Sequence, residues 1–281
     1  SGSGDDAYNQ DILKLLLDLP ATNFRGYKHN TLETKIDLII KNNKILDSIS
    51  ESKKVDIICN ETIFYAESGG QISDKGFIEG EDFKANVLNS KKITIGNDKI
   101  IFITTIEIVS GNIKVGDNIN QIINLNFRKQ LCSHHSATHL LHEALRQKLG
   151  LHVAQKGSLV TNEKLRFDFS HQKPISPELI REIEDVVNHR IFCNDEVITK
   201  VMSPDKAIEK GAIALFGEKY GDKVRVVSIG KSLDSNREAW SVELCGGTHV
   251  KNTSEISTFK IFSETGVSSG VRRIEALTHI A

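Results

Sequence analysis

The chain has 281 residues, of which 39% are hydrophobic and 26% charged, and it carries only four prolines and a formal net charge of −1. This composition is that of a globular protein with one large or two ordinary domains, not of a disordered or fibrous chain. The charge excludes a general electrostatic attraction to nucleic acid, so any RNA contact must come from a local basic surface, and we expect no DNA partner.

Cysteine usage and hydropathy indicate the compartment. The four cysteines, at positions 59, 132, 193 and 245, form no CxxC pair and no regular framework. This pattern favours a reducing compartment, in which Cys59 and Cys193 are expected to be small buried hydrophobes. The sequence has no apolar run of membrane-spanning length and no signal peptide. We therefore expect a cytoplasmic protein with no membrane partner.

The first thirty residues are predicted to be a separate segment. The chain begins Ser1-Gly2-Ser3-Gly4 and its only methionine is Met202, so residues 1–4 are interpreted as a vector-derived scar on a piece of a longer protein. Five leucines and Ile12 between positions 5 and 19 predict a short helix that Pro20 ends. Residues 5–30 are therefore expected to form a helical junction, whose simplest role is to pack against the next domain.

Residues 31–125 are predicted to form a small antiparallel β-barrel. Short apolar or alternating segments are separated here by turn signals such as Lys41-Asn42-Asn43-Lys44. Several strands at this spacing are typical of a small barrel. The predicted strands are 34–40, 44–49, 55–58, 84–88, 92–95, 99–109 and 117–124.

A glycine-rich segment, Glu67-Ser68-Gly69-Gly70-Gln71, interrupts these strands. It has two interpretations. It can be a tight turn, or it can be a loop whose backbone comes close to a ligand, since glycine has no side chain to prevent this approach.

An amphipathic helix is predicted at 131–149, with Gly150 ending it. His135 and His139 stand four residues apart, so on a helix they project from one face, one turn apart. Such a pair can bind a metal ion, although an isolated pair is more often two polar surface residues. Ser136 occupies the position where a zinc metalloprotease helix carries its general-base glutamate, so peptide hydrolysis of that type is disfavoured.

A second pair of possible ligands lies far downstream in Cys245-Gly246-Gly247-Thr248-His249, where the glycines permit a sharp turn. One thiolate and three imidazoles match the ligand preferences of zinc. Cys132 and His142 remain rivals by spacing, whereas His134 points away from the face that carries positions 135 and 139.

The rest of the chain alternates strands and helices. Residues 165–169 alternate in polarity, which places Arg166 and Asp168 on the opposite face of a strand from the phenylalanines. A helix is predicted from Pro177 to about Asn188. The remaining predicted elements are strands at 196–201, 223–229 and 239–244, a helix at 204–210, and a hairpin of 257–263 with 271–277.

Five motifs together resemble the editing domain of alanyl-tRNA synthetase. They are His-Ser-Ala-Thr-His-Leu-Leu-His at 135–142, Val-Ala-Gln-Lys-Gly-Ser-Leu-Val at 153–160, Leu-Arg-Phe-Asp-Phe-Ser at 165–170, Cys-Gly-Gly-Thr-His at 245–249 and Gly-Val-Arg-Arg-Ile-Glu-Ala at 270–276. Upstream, Phe-Tyr-Ala-Glu-Ser-Gly-Gly-Gln at 64–71 resembles the glycine-rich part of the barrel that precedes that domain. The resemblance covers most of the chain in collinear order. Free-standing editing proteins and, more distantly, the threonyl-tRNA synthetase editing domain share parts of it.

The resemblance implies an α+β fold, in which the small antiparallel barrel precedes a two-layer α/β editing core at 126–281 with a mostly antiparallel sheet and a zinc site. It also implies hydrolysis of serine or glycine from the acceptor end of mischarged tRNA(Ala), with water attacking the ester near one bound Zn²⁺. Such a step is needed because an apolar pocket rejects an extra hydroxyl only about a hundredfold. This chain has no recognisable nucleotide-binding loop, so ATP would be used only by the aminoacylation domain of the parent.

The candidate site residues fall into three groups. The metal ligands are His135, His139, Cys245 and His249. The candidates for the catalytic pocket are Thr138, Gln155 and Asp168. The candidates for contact with the tRNA are Gly69, Gly70, Gln71, Arg166, Arg272 and Arg273.

Simpler roles exist for several of these residues. Thr138 can bond its own helix turn, Gln155 can be a solvated loop residue, and Arg272 can form a surface ion pair. Two other functions also remain open for the whole chain, a free-standing trans-editing deacylase and a zinc-stabilised tRNA-binding module without catalysis. Editing of threonine tRNA is a weaker third alternative.

Overall fold

A computed structural model of the chain describes residues 8–50, 54–213, 221–230 and 239–279. The chain divides into two compact units. The first contains the residues up to Glu67 and Ser73–Arg128, and the second contains Ser68–Ile72 and the residues from Lys129 onward. The predicted scar at 1–4 lies outside the described residues. Within those residues, no helix is both long and apolar enough to span a membrane.

The first unit opens with a helix that confirms the one expected before Pro20. Helix α1, Gln10–Asp18, begins where the Asn9 side chain accepts a hydrogen bond from Ile12 N at 3.0 Å. Its buried residues Ile12 and Leu16 pack in an apolar cluster with strand residues. The strands of this unit are β1 (Asn23–Phe24), β2 (Thr31–Lys35), β3 (Leu38–Lys41), β4 (Lys44–Leu46), β5 (Ser48–Ser50), β6 (Lys54–Ile58), β7 (Glu61–Thr62), β8 (Gly76–Glu79), β9 (Phe83–Ile95), β10 (Lys99–Lys114) and β11 (Asn118–Ile123).

These strands form an open sheet, so the prediction of a closed barrel is wrong. The order is β2-β11-β8-β9-β10-β6-β3-β4, with β5 on β10 and a separate parallel pair of β1 and β7. In the described part of the chain, no ladder joins β2 to β4. The predicted strand 34–40 is divided into β2 and β3. Ile36 N donates to the carbonyl oxygen of Asp117, just before β11, whereas Asp37 N donates to the carbonyl oxygen of Ile58 at the end of β6. The predicted strands 84–88 and 92–95 are the single strand β9.

A buried ion pair stabilises the interior of the first unit. Arg128 donates from Nε to Asp74 Oδ1 at 2.8 Å and from Nη2 to Asp74 Oδ2 at 2.5 Å. The other guanidinium contacts are with the carbonyl oxygens of Gly26 at 2.7 Å and Ile63 at 3.1 Å. Asp74 Oδ2 also accepts from Tyr65 N at 2.7 Å. Each nitrogen of the guanidinium therefore has a partner, as a buried charge requires.

The second unit contains two long helices and two antiparallel sheets. Helix α2 starts at Leu125, six residues before the predicted start, because the Asn124 side chain accepts from Phe127 N at 3.1 Å. The sheets have the orders β12-β13-β18-β17 and β14-β15-β16. The elements are α2 (Leu125–Leu149), β12 (Gln155–Val160), β13 (Leu165–Ser170), α3 (Pro177–Phe192), β14 (Val197–Met202), α4 (Pro204–Glu209), β15 (Val224–Ile229), β16 (Ser241–Leu244), β17 (Phe259–Ser268) and β18 (Val271–Thr278).

Helices α2 and α3 bury their apolar residues against the four-stranded sheet, as expected for a two-layer core. Leu141 of α2, Ile183 of α3 and Phe167 of β13 belong to one fully buried cluster. The predicted hairpin is confirmed as β17 and β18, although its first strand extends to Ser268. Cys193 is exposed, contrary to expectation, because it caps the end of α3.

Candidate metal centre

The middle of helix α2 is buried on every side. All residues from 133 to 142 are buried, so the helix lacks the polar outer face that the predicted amphipathic pattern implies. Histidine, serine and threonine side chains in this stretch must therefore find partners inside the protein, since an unpaired buried polar group is costly. A buried histidine whose two ring nitrogens both have hydrogen-bond partners has a structural role, whereas one with a nitrogen left over is a possible metal ligand.

His134 is a structural residue by this test. Its Nε2 accepts a hydrogen bond from Thr278 N at 3.2 Å, and its Nδ1 lies 2.8 Å from Thr161 O. A backbone amide can only donate, so Nε2 is unprotonated and Nδ1 is the donor to the carbonyl. Burial lowers the pKa of His134 to about 4, which keeps the ring neutral. Both nitrogens are occupied, in agreement with the prediction that this residue points away from the site.

The four predicted ligands converge on one point. Potential ligand atoms of His135, His139, Cys245 and His249 all lie within 4.8 Å of one another. Cys245 Sγ is 3.3 Å from the Nε2 atoms of both His135 and His249. Donors at ordinary Zn–N and Zn–S distances in a tetrahedral site would be about 3.5 Å apart, so this spacing suits a single zinc ion.

Each histidine of this cluster is held through Nδ1, the nitrogen that faces away from the thiolate. His135 Nδ1 lies 2.7 Å from Gln71 Oε1, and His249 Nδ1 lies 3.1 Å from Ser136 Oγ. His139 Nδ1 lies 3.2 Å from the carboxylate of Glu243. These contacts leave the Nε2 atoms for the centre of the cluster. Outer partners of this kind orient the ligating histidines of metal sites.

His139 Nε2 identifies the centre as a place for a cation. This atom is buried and has no hydrogen-bond partner among the described residues. His142 Nε2 is also unpaired but lies outside the four-ligand group, whereas His139 Nε2 belongs to a set of converging donors, where an ion would satisfy it. The residues therefore fit a divalent metal ion by donor type, by separation and by this unpaired nitrogen.

The electrostatics of the cluster favour a thiolate. Burial alone would raise the pKa of Cys245, but the surrounding imidazoles of His135, His249 and His139 lower it well below its usual value. Burial would likewise lower the pKa of His139, but the carboxylate of Glu243 and the sulfur of Cys245 raise it to about 10. The cluster thus attracts positive charge, which a bound cation can supply.

Glu243 is a site residue that the sequence did not reveal. One carboxylate oxygen faces His139 and the other lies 3.1 Å from His142 Nδ1, so this single side chain holds two histidines. His142 and Cys132, the rivals by spacing, do not join the group of four ligands. The available signal was a glutamate in strand β16, two residues before Cys245 and on the same strand face as buried Ser241.

The predicted pocket residues have mixed surroundings. Thr138 Oγ1 donates to His134 O at 2.8 Å, which is the simpler role considered for it. Gln155 is half-buried on β12, opposite Phe169. Asp168 accepts two hydrogen bonds from Arg273, at 2.7 and 2.8 Å. Their catalytic roles stay predictions.

The predicted tRNA-binding arginines also have acidic partners. Arg272 donates to both oxygens of Glu264, at 2.5 and 2.7 Å, and Arg166 Nε lies 3.7 Å from Asp168. These arginines and Arg273 sit on the neighbouring strands β13 and β18. Hydrogen-bonded carboxylates pair Arg272 and Arg273 in the free protein, whereas Arg166 Nε is buried without a hydrogen-bond partner among the described residues. Contact of the three arginines with tRNA stays a prediction.

The glycine-rich loop lies against strand β12. Gly69 and Gly70 have positive φ angles of 58° and 81°, and a Cβ on Gly70 would lie 2.5 Å from Ser158 O. Val160 N donates to Gly70 O at 2.7 Å, which fixes the loop to the strand. Only glycine permits this approach at position 70, and the loop carries Gln71 into the second unit beside His135.

Comparisons with known proteins agree with this arrangement. Residues 3–127 match the family described as tRNA synthetases class II (A), and residues 224–275 match the Threonyl and Alanyl tRNA synthetase second additional domain. The chain is 47% identical over 281 residues to an alanine–tRNA ligase of Rhodopseudomonas palustris (strain ATCC BAA-98 / CGA009). It is 45% identical over 280 residues to an alanine–tRNA ligase of Mesorhizobium japonicum (strain LMG 29417 / CECT 9101 / MAFF 303099).

These matches cover 99% of this chain but about 31% of the length of each relative. Both family matches and the two whole-chain alignments point to one group of proteins. Over nearly its whole length, the chain is therefore related to about a third of an alanine–tRNA ligase.

Proposed function

We propose that this chain performs hydrolytic editing in the cytoplasm, releasing serine or glycine from mischarged tRNA(Ala). The observation that carries the proposal is the convergence of three Nε2 atoms and one thiolate in a unit whose residues 224–275 match the second additional domain. The proposal also rests on the resemblance of the motifs at 135–142, 153–160 and 245–249 to an editing domain.

His135, His139, Cys245 and His249 would hold one zinc ion. When bound, zinc would supply Lewis-acid chemistry beside the aminoacyl ester. The protein residues supply orientation, because Gln71, Glu243 and Ser136 fix the Nδ1 side of the three rings. Four protein ligands also allow a closed structural site, so metal content and hydrolysis must be measured separately.

Water is the proposed nucleophile. The hydroxyl of Ser136, next to His135 in the chain, accepts a hydrogen bond from Val250 N and contacts His249 Nδ1, so it holds neighbouring groups in place and is not proposed as the nucleophile. Thr138 is proposed to contact the substrate, since its hydroxyl donates to His134 O and its oxygen can still accept a hydrogen bond from a seryl hydroxyl. Gln155 and Asp168 are proposed to line the same pocket.

The acceptor end of tRNA is proposed to reach the site across strands β13 and β18. Arg166, Arg272 and Arg273 project from these paired strands, and arginine is well suited to bind phosphate. The backbone of Gly69 and Gly70 is proposed to meet the terminal nucleotides. ATP has no proposed role in this part of the protein.

The first experiment measures deacylation of seryl-, glycyl- and alanyl-tRNA(Ala) by the full 281-residue chain, together with its zinc content. We expect the first two esters to be hydrolysed faster than alanyl-tRNA(Ala). The variant Cys245→Ala should lose most of its zinc, because it removes the only sulfur ligand of the cluster. Its rate of deacylation should fall by at least about tenfold, because even mutation of a residue that only orients a metal ligand typically lowers activity by that factor.

The control is Cys193→Ala, which removes an exposed cysteine outside the cluster. It should leave both zinc content and hydrolysis unchanged. Absence of deacylation by the zinc-loaded parent chain would overturn the proposed function and leave a zinc-stabilised tRNA-binding module. If Cys245→Ala loses zinc but hydrolyses the ester at the parent rate, the metal ion has a structural role and no catalytic one.

A further inference from the structure

Gln71 is a polar side chain beside the cluster, and it is 0% exposed. It reaches the histidines from the glycine-rich loop, 64 residues before His135. Its Oε1 lies 2.7 Å from His135 Nδ1 and 3.0 Å from Thr248 N, and its Nε2 donates to Thr248 Oγ1 at 2.9 Å. Both ends of the amide are thus engaged by the two segments that carry the ligands.

These contacts determine the tautomer of the His135 imidazole. The backbone nitrogen of Thr248 can only donate, so the atom of Gln71 that faces it must be the carbonyl oxygen. The same oxygen faces His135 Nδ1, which must therefore carry the hydrogen. His135 then presents an unprotonated Nε2 towards Cys245 Sγ, 3.3 Å away. Gln71 selects the tautomer that a metal ligand needs.

The position of the ring is restricted as well. A Cβ on Gly247 would lie 2.0 Å from His135 Cε1 and 2.9 Å from Gln71 Oε1. The imidazole and the amide therefore pack directly against bare backbone. Gln71 holds the ring from one side and the Gly247 backbone limits it from another.

We propose that Gln71 is a positioning residue of the metal centre, which fixes the tautomer and orientation of His135 and thereby raises metal affinity. This inference rests on the metal site of the proposed function. It gives Gln71 a different role from the predicted contact with tRNA, because its amide is already paired and inaccessible. The glycines at 69 and 70 then serve to deliver this side chain to the site.

The structure also offers a matched control. Gln121, in the first unit, is 1% exposed, and its Oε1 accepts from Thr62 Oγ1 at 3.1 Å and Ile63 N at 3.0 Å. Replacement of either glutamine by methionine keeps the length of the side chain and removes buried hydrogen bonds. Both variants should lose stability for that reason, but only Gln71 touches a potential ligand.

The test compares Gln71→Met, Gln71→Glu and Gln121→Met as full-length chains. Zinc affinity is measured by competition with a chelator, and the visible spectrum of the Co²⁺-loaded protein reports the ligand geometry. We expect Gln71→Met to bind zinc about 10–100-fold more weakly than the parent chain and to change the cobalt spectrum. Gln71→Glu should recover most of the affinity, because a carboxylate still accepts from His135 and Thr248.

Gln121→Met should leave zinc affinity and the cobalt spectrum unchanged even if it unfolds more easily. Parent-like affinity and spectrum in Gln71→Met would overturn the inference while leaving the metal site and the proposed editing intact. Failure of the parent chain itself to bind zinc would instead refute the metal site of the proposed function. If Gln71→Met does not fold, Gln71→Leu replaces it as the variant that lacks the acceptor, and parent-like zinc affinity and cobalt spectrum in Gln71→Leu would overturn the inference.

Discussion

Arg128 with Asp74 in the first unit and the histidine cluster in the second both contain buried polar side chains. The guanidinium and carboxylate satisfy one another and nearby backbone groups. The cluster satisfies the outer nitrogens of its histidines but leaves His139 Nε2 without a partner. A buried network whose hydrogen bonds are complete indicates a structural role, whereas an unpaired nitrogen among converging metal-ligand atoms indicates a place for an ion.

The variant Arg128→Met should have the largest effect of those that test this comparison. Removal of one partner leaves Asp74 as an uncompensated buried charge, and the free energy of unfolding should fall by about 3–5 kcal/mol. Chemical denaturation of the zinc-loaded chain measures this loss. The control Arg181→Met removes an exposed arginine whose ion pair with Glu178 is also exposed, so it should have little effect. Equal effects of the two variants would show that the buried network contributes no special stability.

A second test concerns Arg272, whose pair with Glu264 is complete in the free protein. If Arg272 exchanges this partner for a tRNA phosphate, Arg272→Gln should weaken tRNA binding and reduce its dependence on salt by about one unit of log–log slope. Binding is measured over a range of salt concentrations. Arg181→Gln serves as the control for loss of an arginine elsewhere. A parent-like slope would leave Arg272 with only its ion pair.

A smaller effect should appear in the alkylation of cysteines by iodoacetamide, followed by mass spectrometry. Exposed Cys193 should react in all conditions, while Cys59 should not react in the folded chain, because burial raises the pKa of its thiol and blocks access. Cys245 should react only after zinc has been removed by a chelator. Equal labelling of Cys245 with and without zinc would contradict its assignment as a ligand.

The sequence predicted the metal ligands better than it predicted the residues that hold those ligands in place. The spacing of His135 and His139 and the residue types at 245 and 249 are local properties of the sequence, and zinc chemistry connects them. The supports depend on tertiary contacts. Nothing in the sequence near Gln71 indicates a partner 177 residues away, and Glu243 differs from an ordinary strand residue only in its buried neighbours.

The errors in the fold have a similar origin. The pattern of short apolar segments indicated antiparallel strands, and most of them are present. Closure of the sheet depends on whether the strands at its two ends pair, which the local pattern of apolar residues does not specify. Among the described residues, the end strands β2 and β4 do not pair. Cys193 was expected to be buried from its residue type alone, but its place after the last turn of α3 exposes it.

The distances along the chain between the ligands have a consequence for folding. His135 and Cys245 are 110 residues apart, so a metal ion bound to both ties together distant parts of the polypeptide. Such a tie resembles a reversible cross-link, which disfavours the unfolded chain because it closes a long loop. Removal of zinc should therefore loosen the second unit as a whole, well beyond the immediate neighbours of the ion.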